Sequence, residues 1–327
     1  MFQQGYGVRD LKSLAKIDSA TDFRLASFTK QFTAMAVMLL VHDGKLRYDQ
    51  TLTEIFPDFP AYGKTITVRH LLTHTAGLPD YEDLMDEVEK DKAPIWTVTH
   101  QIQDAEVLDL LKRQSQPKFA AGSSWSYSNS AYVVLGLIVG KVSGQTYGEF
   151  LRARIFQPLH MNGTLAFVNG KNNVPNRALG HSKRAGAFAQ TDQSPTSATL
   201  GDGGIYSNLD DLARWDAALA GNALLPESEM KAALTPARLA DGSATNWPAA
   251  PGGDNLHPGK PVAYGFGWFL DPYQGRPRMW HTGSTQGFRT VIERFPEEKL
   301  TIIVLCNRTD VEAEALALRS ADTFLKR

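Results

Sequence analysis

Little in the sequence places the protein in a special class. Its single cysteine, Cys306, cannot form an internal disulfide, and the apolar run that ends on it predicts a buried strand. The longest apolar stretches, 34–41 and 302–306, are far shorter than the ~18 residues that cross a bilayer. No basic segment followed by an apolar one opens the chain, so we expect no secretion signal in it and no membrane span. The compartment stays open between the cytoplasm and, with a leader removed, the periplasm or exterior.

An excess of one charge is also absent. The chain has 34 basic and 35 acidic side chains among its 327 residues. Nucleic-acid and anionic-membrane binders depend on clustered Lys and Arg, so we expect the protein to belong to neither class. With 43% hydrophobic and 21% charged residues, the composition is that of a folded protein with a sizeable core. At about 150 residues per domain, the length suggests two domains.

What the sequence does contain is a change of pattern along the chain. Helical periodicity and start signals predict helices at 28–42, 68–74, 104–113, 130–142, 147–156 and 209–219. Short β-rich runs follow at 262–270, 278–281, 288–295 and 300–307, with a hairpin turn at 296–299 and a closing amphipathic helix at 311–326. Two long loops, 170–199 and 240–261, are rich in Gly, Pro and polar residues and are expected to be functional rims.

This order of elements predicts a mixed α/β fold. We expect an antiparallel sheet flanked by helices, built from both chain ends (1–47 and 241–327). A mainly helical domain (48–240) would be inserted between them. The cleft at their junction is the expected active site.

The first chemical signal is Ser27-Phe28-Thr29-Lys30. Residues three apart share a helix face, so the Ser27 hydroxyl and the Lys30 amine would lie side by side at a helix N-terminus. Apolar neighbours would lower the pKa of Lys30 enough for the neutral amine to take the serine proton. The alternative is that Ser27 only caps a helix and Lys30 is solvated.

Two further segments carry polar side chains suited to a cleft. Tyr127-Ser128-Asn129 precedes a predicted helix, so a phenol and an amide can project together. His281-Thr282-Gly283-Ser284 ends a β-run, and Gly283 there permits close approach of a substrate to the strand. Taken alone, the first segment is also a plausible helix cap and the second an ordinary turn.

Taken together, the three motifs resemble those of a known superfamily. The order Ser27-x-x-Lys30, Tyr127-x-Asn129, His281-Thr282-Gly283 is similar to that of the serine β-lactamases and penicillin-binding proteins. The closer resemblance is to the class C-like branch, which includes esterases, D-Ala-D-Ala carboxypeptidases and D-aminopeptidases. Supporting segments spread the resemblance over nearly the whole chain, at 23–27, 69–78, 203–207 and 264–268.

The resemblance implies a β-lactamase-like fold and an acyl-enzyme mechanism. Ser27 would attack the substrate carbonyl, while Lys30 and Tyr127 would share the role of general base. Tyr127 would then help to activate the water for deacylation. The backbone N–H groups of Ser27 and Ser284 would form the oxyanion hole.

The remaining motif residues would contact the substrate. Asn129 would hydrogen-bond a substrate carbonyl or steady Lys30, and Thr282 and His281, beside Gly283, would face the acyl or carboxylate side. His281 stands where many members have Lys, and an imidazole that is mostly neutral at pH 7 is a weaker carboxylate anchor. We therefore expect weak or absent β-lactam hydrolysis and better turnover of short-chain esters.

The beginning of the chain also departs from the family pattern. Members usually carry a helix and a first strand before the segment that matches residues 4–7. Either the start is truncated, or the protein has a smaller sheet whose exposed edge pairs with a second subunit. A homodimer is the expectation in the second case.

Other site types lack support. His70 and His74 are four apart, but Leu71 stands where a zinc-peptidase helix would carry Glu, so no metal site is expected. Neither a Gly-x-Ser-x-Gly run nor a nucleotide-binding loop occurs, and no cofactor is expected.

The sequence thus predicts a serine hydrolase that acts on small esters, amides or peptides, most simply as a carboxylesterase. The alternatives are a D-Ala-D-Ala carboxypeptidase or D-aminopeptidase, a weak class C-like β-lactamase and, from another class, a non-catalytic penicillin-recognising binder or sensor.

Overall fold

The computed structural model describes residues 1–249 and 257–325. Its centre is α1 (Lys30–His42), in which every residue from Lys30 to Leu40 is buried. The apolar run 34–41 explains this position, because a helix that is apolar all round is stable only when protein surrounds it. α6 (Asn129–Ser143) is equally apolar, packs against α1, and ends at Gly144 in the left-handed conformation.

The other helices surround this pair. They are α2 (Leu52–Ile55), α3 (Val68–Leu72), α4 (Tyr81–Glu89), α5 (Asp104–Lys112), α7 (Tyr147–Leu151), α8 (Leu209–Ala220), α9 (Glu227–Ala233) and α10 (Ala313–Leu325). α3, α5 and α7 pack on α6, and α7 continues as one π-helical turn, Arg152–Phe156. The helices predicted at 68–74, 104–113, 130–142 and 209–219 are confirmed to within one or two residues at each end.

The main sheet comes from the C-terminal part of the chain. It contains β6 (Met279–Thr285), β7 (Phe288–Phe295) and β8 (Leu300–Cys306), antiparallel in the order β6-β7-β8. The hairpin turn predicted at 296–299 joins β7 to β8. One face of the sheet is covered by α10, where Ala317 packs on Val291, and the closing helix is therefore confirmed.

The N-terminal part joins a different sheet. β1 (Phe23–Arg24) pairs with β5 (Ile205–Ser207), which also pairs with β2 (Leu165–Ala166). None of the described strands before α1 pairs with the main sheet. That both chain ends build one sheet domain stays a prediction. What the N-terminal part supplies is Leu25, whose carbonyl accepts a hydrogen bond from Thr290 Oγ1 of β7 at 2.8 Å.

Two predicted segments differ from their expected form. The loop 170–199 contains a hairpin, β3 (His181–Arg184) and β4 (Ala187–Gln190), joined at Ala185 and Gly186, both with positive φ. The run 262–270 forms a tight turn instead of a strand, because Gly267 has φ +77° and Tyr264 bridges back to Phe269.

Some expectations on domains and loops are untested. Of the loop 240–261, residues 250–256 lie outside the described residues. The domain limits 1–47, 48–240 and 241–327 stay a prediction. In the described ranges no helix combines the length and the apolar character needed to cross a membrane.

Candidate active site

Ser27 lies in a short 3-10 helix, Ala26–Thr29, directly before α1. The preceding Ala26 has φ +51°, a conformation that costs about 1–3 kcal/mol for a residue with a Cβ and is often found at functional sites. Neither the 3-10 helix nor α1 has a side-chain N-cap, so Ser27 does not act as a helix cap. Its hydroxyl instead contacts Lys30.

Lys30 is fully buried, which excludes the solvated alternative. Its Nζ lies 3.0 Å from Ser27 Oγ, 2.9 Å from Asn129 Oδ1 and 3.1 Å from the carbonyl oxygen of Asp202. The amide oxygen and the carbonyl oxygen can only accept hydrogen bonds, whereas a serine hydroxyl can donate or accept.

These three contacts fit an ammonium, which would donate to all of them, and they also fit a neutral amine. Two N–H groups of a neutral Lys30 would donate to Asn129 Oδ1 and to the Asp202 carbonyl. The nitrogen lone pair would then point at the Ser27 hydroxyl. Burial disfavours the charged ammonium and therefore favours the neutral amine. The geometry places a buried amine next to a serine hydroxyl.

Tyr127 and Asn129 belong to the loop that leads into α6. The Nζ of Lys30 lies 4.9 Å from the centre of the Tyr127 ring. Ser128, between them, caps α6 through a hydrogen bond from the Ala131 N–H to its Oγ at 3.1 Å. The segment is therefore a helix cap as well, and the cap fixes the two neighbouring side chains at the entrance of α6.

β6 forms the other side of the site. A Cβ at Gly283 would overlap the carbonyl oxygen of Leu25, so only glycine lets β6 pass this close to the 3-10 helix. Ser284 is exposed and Thr282 is half-buried. The predicted motif residues of the first and third segments are thereby brought to one place in the fold.

His281 is buried beneath this surface, with 1% of its area exposed. Nδ1 lies 2.7 Å from the carbonyl oxygen of Thr282, so Nδ1 carries the proton, and Nε2 accepts from the Tyr264 hydroxyl at 3.1 Å. Burial first, and then the charge of Lys30, lower the pKa of His281 to about 3. The imidazole is neutral at physiological pH, and both of its nitrogens already have protein partners.

Comparison with known proteins identifies the family of the chain. A family model described as Beta-lactamase matches residues 1–324. The chain belongs to the Beta-lactamase family. The family and its neighbours are serine hydrolases with a mixed α/β fold.

Individual relatives in this family are distant. Penicillin-binding protein 4* of Bacillus subtilis is 29% identical over 341 residues, which cover 99% of this chain. The chain spans 69% of that protein, and 56% of the staphylococcal proteins named flp.

Solved structures of the family superimpose on most of the chain. The octameric penicillin-binding protein homologue of Pyrococcus abyssi is 25% identical, with a TM-score of 0.81, over 100% of this chain and 71% of its own. D-amino acid amidase of Ochrobactrum anthropi, solved with L-phenylalanine amide, is 26% identical, with a TM-score of 0.75, over 98% and 87%.

Sequence reasoning missed several contacts of the Beta-lactamase site. Asp202 contributes a main-chain oxygen, for which a sequence carries no side-chain signal. Asp80 accepts from the Asn129 N–H through Oδ2 at 3.2 Å, and burial raises the pKa of Asp80 to about 6. In the sequence, Tyr264 stands out only as part of the family segment 264–268. His74 stands out as part of the segment 69–78 and through its spacing of four from His70.

That histidine pair does not act as a unit. His70 Nδ1 accepts from the Thr67 N–H at 3.2 Å and completes the cap of α3, whereas His74 Nδ1 accepts from the Ser128 N–H at 3.1 Å. Each imidazole thus uses its Nδ1 lone pair for a backbone group. Among residues 1–249 and 257–325, no cluster of three or more His, Cys, Asp or Glu is arranged to hold a metal.

Proposed function

We propose that the protein is a carboxylesterase that forms an acyl-enzyme on Ser27 and prefers uncharged substrates. The observation that carries the proposal is the set of contacts of the buried Lys30. Its nitrogen faces the Ser27 hydroxyl while two obligate acceptors hold its N–H groups.

In acylation, the Ser27 oxygen forms a bond to the ester carbonyl carbon, and its proton passes to Lys30 Nζ over 3.0 Å. The tetrahedral oxyanion would be bound by the backbone N–H groups of Ser27 and Ser284. As it collapses, the bond to the alcohol oxygen breaks. The alcohol then leaves with a proton returned by Lys30, directly or through Tyr127.

In deacylation, water takes the place of the alcohol. Tyr127, beside Lys30, would take the proton of the attacking water while its own phenolic proton passes to Lys30. Lys30 would then return that proton to the Ser27 oxygen as the bond to the acid breaks. Asn129 would keep Lys30 aligned through both steps, because its Oδ1 accepts a hydrogen bond from Nζ at 2.9 Å. Thr282 would hydrogen-bond the substrate from β6.

The preference for uncharged substrates rests on His281. At position 281 a substrate carboxylate would find no cation, because the imidazole is neutral and buried against Tyr127, Tyr264 and Phe269. A neutral, aromatic environment gives no ion pair to repay the desolvation of a carboxylate. Simple esters carry no such cost.

The test is to measure kcat/KM for p-nitrophenyl butyrate, a D-alanyl-D-alanine peptide and nitrocefin on the wild type and on Ser27→Ala. We expect the ester to be the best substrate and Ser27→Ala to abolish its turnover. A strong preference for nitrocefin would contradict the proposal.

A D-amino acid amidase is the second candidate. The half-buried Asp80 carboxylate, 3.2 Å from the Asn129 N–H, could bind the ammonium group of an amino acid amide. The likeness to the D-amino acid amidase of Ochrobactrum anthropi supports this choice. D-phenylalanine amide should then exceed p-nitrophenyl butyrate in kcat/KM, and Asp80→Asn should reverse the order.

A sensor that is acylated but does not turn over is the candidate from another class. Intact mass separates the two, because an enzyme loses an acyl adduct with time and a sensor keeps it. A stable adduct together with no turnover of any ester would favour the sensor.

For assembly, we propose a homodimer through β8. This strand lies at the end of the β6-β7-β8 order, and its seven residues are uncharged and half-buried. An edge strand without charge or proline presents unpaired backbone groups to which a strand of another chain can pair. Light scattering should give a dimer mass, and a monomer at high concentration would contradict it.

A further inference from the structure

His74 occupies a position that its residue type does not favour. It follows α3 with φ +59°, in the left-handed region where glycine and asparagine are the usual residues. It is fully buried. Such a conformation persists only when its surroundings hold it there, and it is often found at functional sites.

His74 holds the backbone on both sides of Tyr127. Its carbonyl oxygen accepts from the Ser126 N–H at 3.0 Å, and its Nδ1 accepts from the Ser128 N–H at 3.1 Å. A further hydrogen bond joins the same two segments, from the Gly122 N–H to the Thr75 carbonyl oxygen at 2.8 Å. Backbone hydrogen bonds therefore fix the loop that carries Tyr127 against residues 74–75. The hydrogen bond from the Ser128 N–H to the imidazole of His74 is the one nearest to α6.

The imidazole ring also supports the phenol ring directly. The ring centres of His74 and Tyr127 are 4.4 Å apart, and that of Tyr264 lies 4.6 Å from His74 on the aromatic side of the site. The Tyr127 ring also lies 4.9 Å from Lys30 Nζ, measured to the ring centre. Tyr127 is thus in contact with both the imidazole of His74 and the buried amine.

The protonation of His74 is fixed by these contacts. Because Nδ1 accepts, Nε2 carries the proton, and Nε2 has no hydrogen-bond partner among the described residues. Burial holds the pKa of His74 well below its ordinary value. Leaving a buried N–H unpaired costs about 1–3 kcal/mol, and a purely structural position would be filled more stably by an apolar side chain.

We propose that His74 is a positioning residue that fixes Tyr127 against Lys30 for proton transfer. The inference rests on the proposed serine hydrolase function, because it gives Tyr127 a step to perform. His74 does not touch the substrate. Its removal should therefore slow the reaction of Ser27 and leave the substrate affinity unchanged.

Two variants separate the acceptor from the rest of the side chain. His74→Gly and His74→Asn both lose the ring and both tolerate a positive φ, but only asparagine keeps an acceptor on its γ-carbon for the Ser128 N–H. A misplacement of about 1 Å costs roughly 100-fold in rate, so we expect kcat of His74→Gly to fall about 100-fold with KM unchanged. His74→Asn should recover at least tenfold of that loss.

Matched measurements distinguish positioning from stability. His70→Asn removes an imidazole from the same segment without contact to Tyr127, so it should lower Tm but leave kcat as in the wild type. Each variant is assayed with p-nitrophenyl butyrate, and the rate at which a fluorophosphonate labels Ser27 is followed by intact mass. If kcat of His74→Gly equals that of the wild type, or if both His74 variants lose the same activity in proportion to Tm, the proposal is overturned.

The labelling rate keeps this proposal separate from the proposed substrate. If the wild type is labelled but hydrolyses no ester, the carboxylesterase proposal fails while the labelling rates still test His74. Slow labelling of His74→Gly with rescue in His74→Asn would then support positioning, and equal labelling of all variants would overturn it. If the wild type itself is not labelled, Ser27 is not activated and both proposals are overturned.

Discussion

The two sides of the cleft differ in how they treat polar groups. On the α1 side, the buried Lys30 has Ser27, Asn129 and the Asp202 carbonyl within hydrogen-bond distance. On the β6 side, His281 is as deeply buried but is neutral and packed among aromatic rings. In the proposed mechanism the first side moves a proton, and the second receives a group without charge.

The difference also separates chemistry from specificity. A change on the α1 side alters the acid–base properties of the reacting groups and should affect every substrate alike. A change on the β6 side should alter the ratio between substrates, because it changes which charges are solvated in the cleft. The predictions below use this separation.

The largest effect is expected from Lys30→Met. Methionine has a similar length and no basic nitrogen, so Ser27 loses its base while the buried volume stays filled. General-base catalysis contributes about 100- to 10,000-fold, and we expect kcat/KM for every ester to fall by that much. Initial rates on three esters of different acyl length check it, and a loss confined to one ester would contradict the separation.

Asn129 offers a test of the charge on Lys30. In Asn129→Asp, a carboxylate 2.9 Å from Nζ would stabilise the ammonium and suppress its action as a base. Each unit by which the pKa of Lys30 rises costs about tenfold in the neutral amine, so activity at neutral pH should fall about 10- to 100-fold. The activity should recover as pH is raised.

The matched control for this change is Asn129→Leu, which removes the acceptor without adding charge. Its pH–rate profile should keep the position of the wild-type profile. If Asn129→Asp and Asn129→Leu have the same profile, Lys30 is not the group that titrates.

On the β6 side, His281→Lys should change specificity. A lysine there restores the cation of the Lys-Thr-Gly pattern, and an added ion pair of about 1.4 kcal/mol would raise kcat/KM for nitrocefin about tenfold relative to p-nitrophenyl butyrate. His281→Met is the control of similar length without charge. The ratio should not change in the control, and an equal change in both variants would assign the effect to shape.

The smallest effect concerns stability against pH. The pKa of His281 is about 3 in the folded protein and near 6.5 when unfolded, so only the unfolded chain takes up a proton between these values. The contribution of His281 to stability is therefore complete above about pH 6.5 and is lost as pH falls towards 3.

Urea unfolding of wild type and His281→Asn at several pH values measures this term. Between about pH 6 and 4 the wild type should lose stability more steeply than the variant, by up to one proton taken up on unfolding. The pKa values of Asp104 and Glu293 rise to about 8 through burial and act in the opposite direction, but they are common to both proteins. Parallel pH dependences would contradict the buried, neutral state of His281.

Sequence patterns predicted the helices and strands that carry a continuous buried apolar run or a clear turn signal. The largely apolar α1 and α6 and the β7-β8 hairpin were located because a run of apolar residues or a turn with Pro296 marks each one. The β3-β4 hairpin was missed. Its strands are largely exposed, and its turn is Ala185-Gly186, without the Asn-Gly or Asp-Gly signal.

The site was predicted only as far as its side chains form motifs. Ser27, Lys30 and Asn129 stand at fixed spacings, and the structure brings them into contact. The Asp202 carbonyl comes from a loop 172 residues after Lys30, so only the fold can reveal it. The burial of His281 could not be predicted either. The motif shows that a histidine stands at this position but not which side chains surround it.

The measurement that tests the account most directly is the intact mass of the protein after brief exposure to a fluorophosphonate, in wild type, Ser27→Ala and Lys30→Met. The account predicts one adduct on wild type, none on Ser27→Ala, and labelling of Lys30→Met slowed by at least 100-fold, within the range of general-base catalysis of about 100- to 10,000-fold. An adduct that persists in Ser27→Ala, or labelling of Lys30→Met at the wild-type rate, would contradict it.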